Sequence, residues 1–177
     1  LATSAPSDLS LEHLAEAADA MHGFRDPMPA LGALLTEAPD YAFAWAFRGA
    51  LFALSSDQAH APEVARCLAH AQDGLDAANE RERMHVAALK AWLDGELPEA
   101  TALWGRIARE HPRDLLALQF AHTGDFFLGQ ASELRDRPVQ ALRAWSPGER
   151  GTGFVLGMSA FGHEECGDYA RSLDVRG

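Results

Sequence analysis

Two clusters of ionisable residues are the places where this sequence could carry chemistry. His122 and Asp125 are three residues apart, so on a helix they share one face and the carboxylate could orient the imidazole. The sequence "HEEC", residues 163–166, adds a histidine, two carboxylates and a thiol. If the clusters face each other on neighbouring helices, then His122, Asp125, His163 and Glu165 could form an acid–base pair or an oxygen–nitrogen metal site.

The competing interpretation of these residues is a polar network that fixes helix packing. Four consecutive residues on a helix point in different directions, so "HEEC" cannot converge on one ligand. The sequence contains no HExxH spacing, CxxC pair, Gly-rich phosphate loop or GxSxG turn. We therefore assign no catalytic residue, metal ligand or cofactor from the sequence, and the cluster stays an alternative hypothesis.

The elements that must position these residues are helical by composition. The chain has 177 residues and is 47% hydrophobic; alanine supplies much of that fraction, while valine, isoleucine and tyrosine are scarce. Alanine and leucine cost least in a helix, whereas β-branched residues favour strands. The predicted fold class is therefore all-α.

Net charge and hydropathy restrict the cell compartment and the classes of partner that we expect. A net charge of −11 disfavours nucleic acid and anionic membrane surfaces, because both need clustered basic residues. No apolar run approaches the roughly 18 residues of a membrane span, and the N-terminal residues lack a signal-peptide pattern. We expect a cytoplasmic protein, and Lys90 as the only lysine indicates a bacterial source rich in GC.

A period of 34 residues organises the chain. Ala100, Trp104 and Pro112 follow one another at offsets of four and eight, which is typical of the second helix of a tetratricopeptide hairpin. The small residue allows two helices to approach closely, and the proline ends the second helix. Three glycines at intervals of 34 and 38 residues are predicted to form the turns within successive hairpins: Gly95, Gly129 and Gly167.

The repeat predicts one tetratricopeptide-like domain over residues 1–177, a right-handed superhelix of about five antiparallel helix hairpins. The predicted hairpins span residues 11–37, 41–73, 80–110, 114–144 and 152–174, and we expect the last to be incomplete. Four polar residues are predicted to cap the first, third, fifth and seventh helices: Ser10, Asp40, Asn79 and Asp114.

Beyond the generic repeat, the chain resembles the tetratricopeptide repeat protein 38 family. The resemblance is carried by "NERERMHVAALKAW" (79–92), "REHPRDLLALQFAH" (109–122), "FFLGQ" (126–130) and "GFVLGMSAFGHEECGDYA" (153–170). It implies an α-helical superhelix in a bacterial or eukaryotic soluble protein, without established catalytic residues. Members of this family usually have leucine where His163 stands here, and their chains usually continue with further repeats.

The inner faces of the first helices of tetratricopeptide hairpins line a concave groove. Applied here, that rule predicts a ligand groove lined by Phe43, Ala46, His85, Leu89, Trp92, Gln119, Phe126, Phe127, Phe154, Phe161, Glu164 and Glu165. Such a groove is apolar with an acidic end, so it suits an amphipathic or basic peptide or a small apolar ligand. The competing interpretation is that these aromatic residues are core between repeats.

Three functions follow from these patterns. The favoured one is a non-enzymatic helical-repeat scaffold that binds a protein or peptide segment in the groove. The alternative is an enzyme, or a small-molecule or metal-binding protein, that uses His122, Asp125, His163 and Glu165. The third is an architectural homodimer in which a second copy completes the final hairpin.

Overall fold

The structure is a computed structural model that describes residues 1–176, with side chains through residue 174. In this part of the chain there are ten α-helices and two short 3₁₀ turns, Gln58–His60 and Leu142–Ala144, and no β-strand. The all-α prediction is confirmed. The helices are α1 (Asp8–His22), α2 (Met28–Glu37), α3 (Ala42–Leu54), α4 (Ala61–Asp73), α5 (Glu80–Leu93), α6 (Leu97–Glu110), α7 (Leu115–Phe127), α8 (Ala131–Ala141), α9 (Thr152–Glu165) and α10 (Tyr169–Arg176).

The chain forms two compact units. The N-terminal unit comprises residues 2–96 and contains α1 to α5. The C-terminal unit comprises residue 97 onward and contains α6 to α10. A single domain over residues 1–177 stays a prediction.

Two of the four predicted helix caps are present. The Asn79 side chain accepts a hydrogen bond from the Glu82 backbone N–H at 3.0 Å, and the Glu82 carboxylate accepts from the Asn79 N–H at 3.2 Å. This reciprocal pair is a capping box, which satisfies two donors at the start of α5. Asp114 caps α7 by accepting from the Ala117 N–H at 2.9 Å.

The other two cap predictions are wrong. Ser7, not Ser10, caps α1: its hydroxyl accepts from the Ser10 N–H at 3.0 Å, so the helix begins earlier than predicted. Before α3, Tyr41 occupies the cap position and makes no side-chain cap bond, so Asp40 does not cap that helix. Both errors move a boundary by a few residues and leave the helix in place.

The helices α5, α7 and α9 end in the same backbone turn. The glycine that follows each has a left-handed φ, at 85° for Gly95, 68° for Gly129 and 75° for Gly167. The next N–H then donates to the carbonyl five residues earlier: Glu96 to Ala91, Gln130 to Asp125, and Asp168 to His163, all at 2.8–2.9 Å. This is the Schellman motif, which a residue without a Cβ adopts most easily. The spacing of the glycines in the sequence therefore has one conformational cause.

In the N-terminal unit, α1 packs on α2, and α3 packs on both α4 and α5. Close approach of α3 and α5 depends on Gly49, because a Cβ there would lie 2.6 Å from the Leu89 side chain. The buried carboxylate of Glu82 accepts hydrogen bonds from the Thr3 hydroxyl and the Ser4 N–H, both at 2.9 Å. These bonds hold the segment before α1 against the start of α5.

In the C-terminal unit, α6 packs on α7, α8 contacts both α7 and α9, and α10 packs on α9. The α8–α9 contact is tight at Gly162, where an added Cβ would overlap the Leu134 carbonyl group. Pro138 lies inside α8, so the Leu134 carbonyl four residues earlier has no helical N–H partner. The rings of Trp104 and Phe120, 5.3 Å apart, fill the core between α6 and α7.

Candidate functional site

Four residues of the predicted groove lie in the core of the N-terminal unit. Phe43, Ala46, His85 and Leu89 are all buried, with Phe43 only 2% exposed. The Phe43 ring lies 4.8 Å from the His85 ring and 4.6 Å from the Arg81 guanidinium. The prediction that these four line an open groove is therefore corrected, because contact between α3 and α5 buries the face that carries them.

Two aromatic residues of the predicted groove are exposed to solvent. Phe126 is 52% exposed and Phe127 is 43% exposed, at the end of α7. The Phe126 ring lies 6.1 Å from Phe127 and 5.9 Å from the partly exposed Phe161 ring of α9. We call Phe126, Phe127 and Phe161 the aromatic patch. Because the Phe126 ring contacts both of the other rings, the patch is a continuous apolar surface rather than scattered side chains.

Polar groups border the aromatic patch. Glu164 and Glu165 are exposed and follow Phe161 by three and four residues, so on α9 they lie on the same side as that ring. On α7, the half-buried Gln119 side chain donates to the Thr123 hydroxyl at 3.2 Å. The patch is thus apolar at its centre and acidic at one edge. The remaining predicted groove residues, Trp92 and Phe154, are half-buried.

Asp125 does not orient His122. Its fully buried carboxylate accepts from Arg137 Nε at 2.7 Å and from Arg137 Nη2 at 3.4 Å. Burial raises the pKa of Asp125, while the Arg137 guanidinium opposes that rise. The carboxylate predicted as a catalytic partner is therefore occupied by an ion pair between α7 and α8.

His122 has a packing role. Its Nε2 lies 3.3 Å from the Met158 carbonyl oxygen of α9, and its ring lies 5.8 Å from Phe161. Burial lowers the pKa of His122, and the nearby main-chain carbonyls of Met158 and Leu134 oppose that shift. The imidazole thus links α7 to the main chain of α9.

The remaining members of the predicted cluster have separate surroundings. The buried His163 Nδ1 lies 3.6 Å from the Asp168 carboxylate, just beyond the end of α9, while Glu165 is exposed. The structure does not bring His122, Asp125, His163 and Glu165 together. Across the described residues, no three histidine, cysteine, aspartate or glutamate side chains are arranged to hold a metal ion.

No protein-family model matches this chain, and no solved structure gives a significant match to it. The resemblance to the tetratricopeptide repeat protein 38 family therefore stays a prediction from the sequence blocks that carry it. As far as the chain is described, none of its helices is long and apolar enough to cross a membrane.

Sequence reasoning missed a group of arginines around a cleft in the C-terminal unit. Arg109, Arg137 and Arg143 line a cavity of about 250 Å³ formed by α6, α8 and the turn after α8. The buried partner of Arg137 is Asp125, twelve residues earlier on another helix. Spacing rules for helix faces connect residues three or four apart, so no signal of that kind could have paired them.

Proposed function

We propose that this protein is a non-enzymatic, cytoplasmic helical-repeat module of the tetratricopeptide type. It binds an apolar, basic segment of another protein. The aromatic patch is the centre of the binding surface, and the acidic side chains of Glu164 and Glu165 form its rim.

The observation that carries the proposal is the exposure of the aromatic patch. Three adjoining phenylalanine rings, of which Phe126 contacts the other two, form an exposed apolar surface of the kind that marks interaction sites, because burying apolar area is favourable by about 25 cal/mol per Å². Aromatic side chains are also enriched among the residues that dominate binding energy at interfaces.

The proposed tetratricopeptide architecture, a right-handed superhelix, is supported by two features within the units. Consecutive helices pack as pairs, as α1 does on α2 and α3 on α4, and α3 also contacts α5. In addition, α5, α7 and α9 end in the same glycine turn. Contact of each repeat with its neighbours alone is how a helical solenoid buries its apolar faces.

The acidic rim sets the partner's charge. A net charge of −11 repels acidic segments at long range and attracts basic ones, and carboxylates at an interface rim act mainly on association rate and partner choice. We therefore expect lysine or arginine next to large apolar residues in the bound segment.

Selection from a displayed library of random peptides tests the proposal. We expect enrichment of peptides that combine apolar and basic residues, and these should bind the double variant Phe126→Ser/Phe127→Ser at least about tenfold more weakly. The matched control is Phe24→Asn, which removes a ring that is 92% exposed at the end of α1 in the N-terminal unit. Equal binding to wild type and the double variant, or loss of binding in the control as well, would overturn the proposal.

A second candidate function is self-assembly through α10. Tyr169 and Leu173 are both exposed, and their spacing of four residues places them on one face of that helix. Light scattering after size exclusion tests this: a dimer that Leu173→Glu converts to a monomer supports the candidate. The control Leu9→Glu adds the same charge at an exposed leucine of α1 and should leave the dimer intact. A strict monomer of the wild type excludes this function.

A further inference from the structure

The arginine cleft lies wholly within the C-terminal unit. It has a volume of about 250 Å³ and is lined by Arg109 near the end of α6, Arg137 and Gln140 of α8, and Arg143 in the turn that follows. Pockets for drug-sized ligands occupy roughly 300–1,000 Å³, so this cleft suits a smaller group.

One guanidinium of the cleft is held in a fixed position. Arg137 is bound through Nε and Nη2 to the buried Asp125 carboxylate, and its Nη1 lies against Gly105, where an added Cβ would overlap it. Nη1 forms no hydrogen bond within the described chain. A positioned donor with free hydrogen-bonding capacity therefore lies at the wall of the cleft.

The other two arginines of the cleft are exposed. Neither Arg109 nor Arg143 forms a hydrogen bond or an ion pair with another described residue. Five other arginines of the same unit each pair with a carboxylate: Arg106, Arg113, Arg135, Arg137 and Arg171. In so acidic a chain, two unpaired arginines on the same cleft are a concentration of positive charge that internal ion pairs do not explain.

We propose that the cleft binds a phosphate group, either free or as a small monoester. A carboxylate usually binds two parallel N–H donors of a single arginine, but on Arg137 Asp125 already accepts from Nε and Nη2. What remains is one fixed donor and two exposed guanidinium groups, one on α6 and one in the turn after α8, which suits a tetrahedral dianion with several terminal oxygens. The Gln140 amide adds a neutral donor. This site is separate from the aromatic patch and does not depend on the function proposed for it.

Glu133 opposes the anion. It lines the same cleft, and its carboxylate lies 3.3 Å from Arg137 Nη2. Its side chain is exposed enough to turn outward when an anion enters. Removing its charge while keeping its shape, as in Glu133→Gln, should therefore strengthen phosphate binding. Stronger binding after loss of a nearby negative charge is what an electrostatic phosphate site predicts. If the arginines only stabilised the negative ends of the helix dipoles, the cleft would bind no phosphate.

Titration of the full chain with inorganic phosphate at constant ionic strength tests the proposal, with the arginine Nε–Hε signals followed by NMR. We expect saturable shifts of the signals of Arg109, Arg137 and Arg143. Arg109→Gln and Arg143→Gln should each weaken phosphate affinity roughly fivefold to tenfold. Titration with phenyl phosphate distinguishes the source: tighter binding than inorganic phosphate indicates a monoester, and equal binding indicates the free ion.

Matched variants separate the site from general charge. Arg106→Gln on α6 and Arg135→Gln on α8 remove the same charge from the same helices outside the cleft, and should leave the affinity unchanged within about a factor of two. The proposal is overturned if phosphate gives no saturable shift, if the control variants weaken binding as much as the cleft variants, or if acetate binds as tightly as phosphate.

Discussion

Phenylalanines that were predicted to line one groove are buried in the N-terminal unit at Phe43 and partly exposed in the C-terminal unit at Phe126 and Phe161. Phe43, at the start of α3, lies beneath the Arg81 and His85 side chains of α5. Phe126 and Phe161, towards the ends of α7 and α9, contact each other but remain partly exposed. One face of the same type of helix therefore provides core in one unit and a surface in the other.

The difference shows that position along the helix decides exposure as much as the face does. Phe43 is the second residue of α3, and there His85 of α5 lies alongside it. Phe126 is the residue before the last of α7, close to the Gly129 turn, and is 52% exposed. The aromatic patch is thus a property of the turn end of the helices.

The largest effect is expected from Phe43→Ala. Removing a buried ring that contacts three other side chains should lower the free energy of unfolding by about 3–5 kcal/mol. Urea denaturation measures the loss, and Phe43→Leu, which keeps most of the volume, should lose less than about 1.5 kcal/mol. A change within experimental error for Phe43→Ala would mean that the ring is not core.

Gly162→Ala should come next, because its Cβ would meet main-chain atoms of Leu134 that cannot turn away. We expect a loss of roughly 1–3 kcal/mol in the free energy of unfolding and displacement of Phe161 within the aromatic patch. The control in the same helix is Gly157→Ala, where nothing lies near the new Cβ and stability should rise by up to about 1 kcal/mol. If both variants shift stability alike, α8 and α9 are not packed as closely as described.

Acid should weaken the C-terminal unit through His122. Its pKa is lowered in the folded protein, so below its usual value of 6.5 the unfolded chain binds a proton that the folded chain does not. Stability should therefore fall as the pH falls below 6.5, until the folded pKa is reached, by at most about 1.4 kcal/mol per pH unit. Urea denaturation across this range should give a flatter profile for His122→Gln, and an unchanged profile would show that the imidazole stays accessible to protons.

The smallest effect on stability is expected from Phe126→Ala. Half of the side chain is already exposed, so the free energy of unfolding should change by less than about 1 kcal/mol. Urea denaturation side by side with Phe43→Ala gives the contrast directly. A loss for Phe126→Ala as large as for Phe43→Ala would place the aromatic patch in the core and remove the basis for the proposed binding surface.

Much of the fold could be predicted from local sequence, because local features determine it. Asn79 with Glu82, and Asp114, mark helix starts through hydrogen bonds that span three residues. Gly95, Gly129 and Gly167 mark helix ends through a single backbone conformation. The prediction placed the cap of α1 at the wrong serine, because Ser7 and Ser10 both lie within two residues of a following leucine and only the folded geometry distinguishes them.

The candidate sites were harder to predict, because their residues meet across helices. His122 and Asp125 have the spacing of a functional pair, yet each turns to a different helix: His122 to the Met158 carbonyl of α9, and Asp125 to Arg137 of α8. A helix pattern restricts which residues share a face. It does not state which neighbour that face will meet.

The sequence by itself determined that this chain is helical, where most of its helices begin and end, and which glycines close three of them, since propensity, capping and backbone conformation act over a few residues. Only the tertiary structure decided that Phe43 is core while Phe126 is surface, that Asp125 neutralises Arg137, and that Arg109 and Arg143 are left unpaired around one cleft. Burial and ion pairing depend on atoms that packing brings together from distant positions, and a single chain's local pattern does not encode those distances.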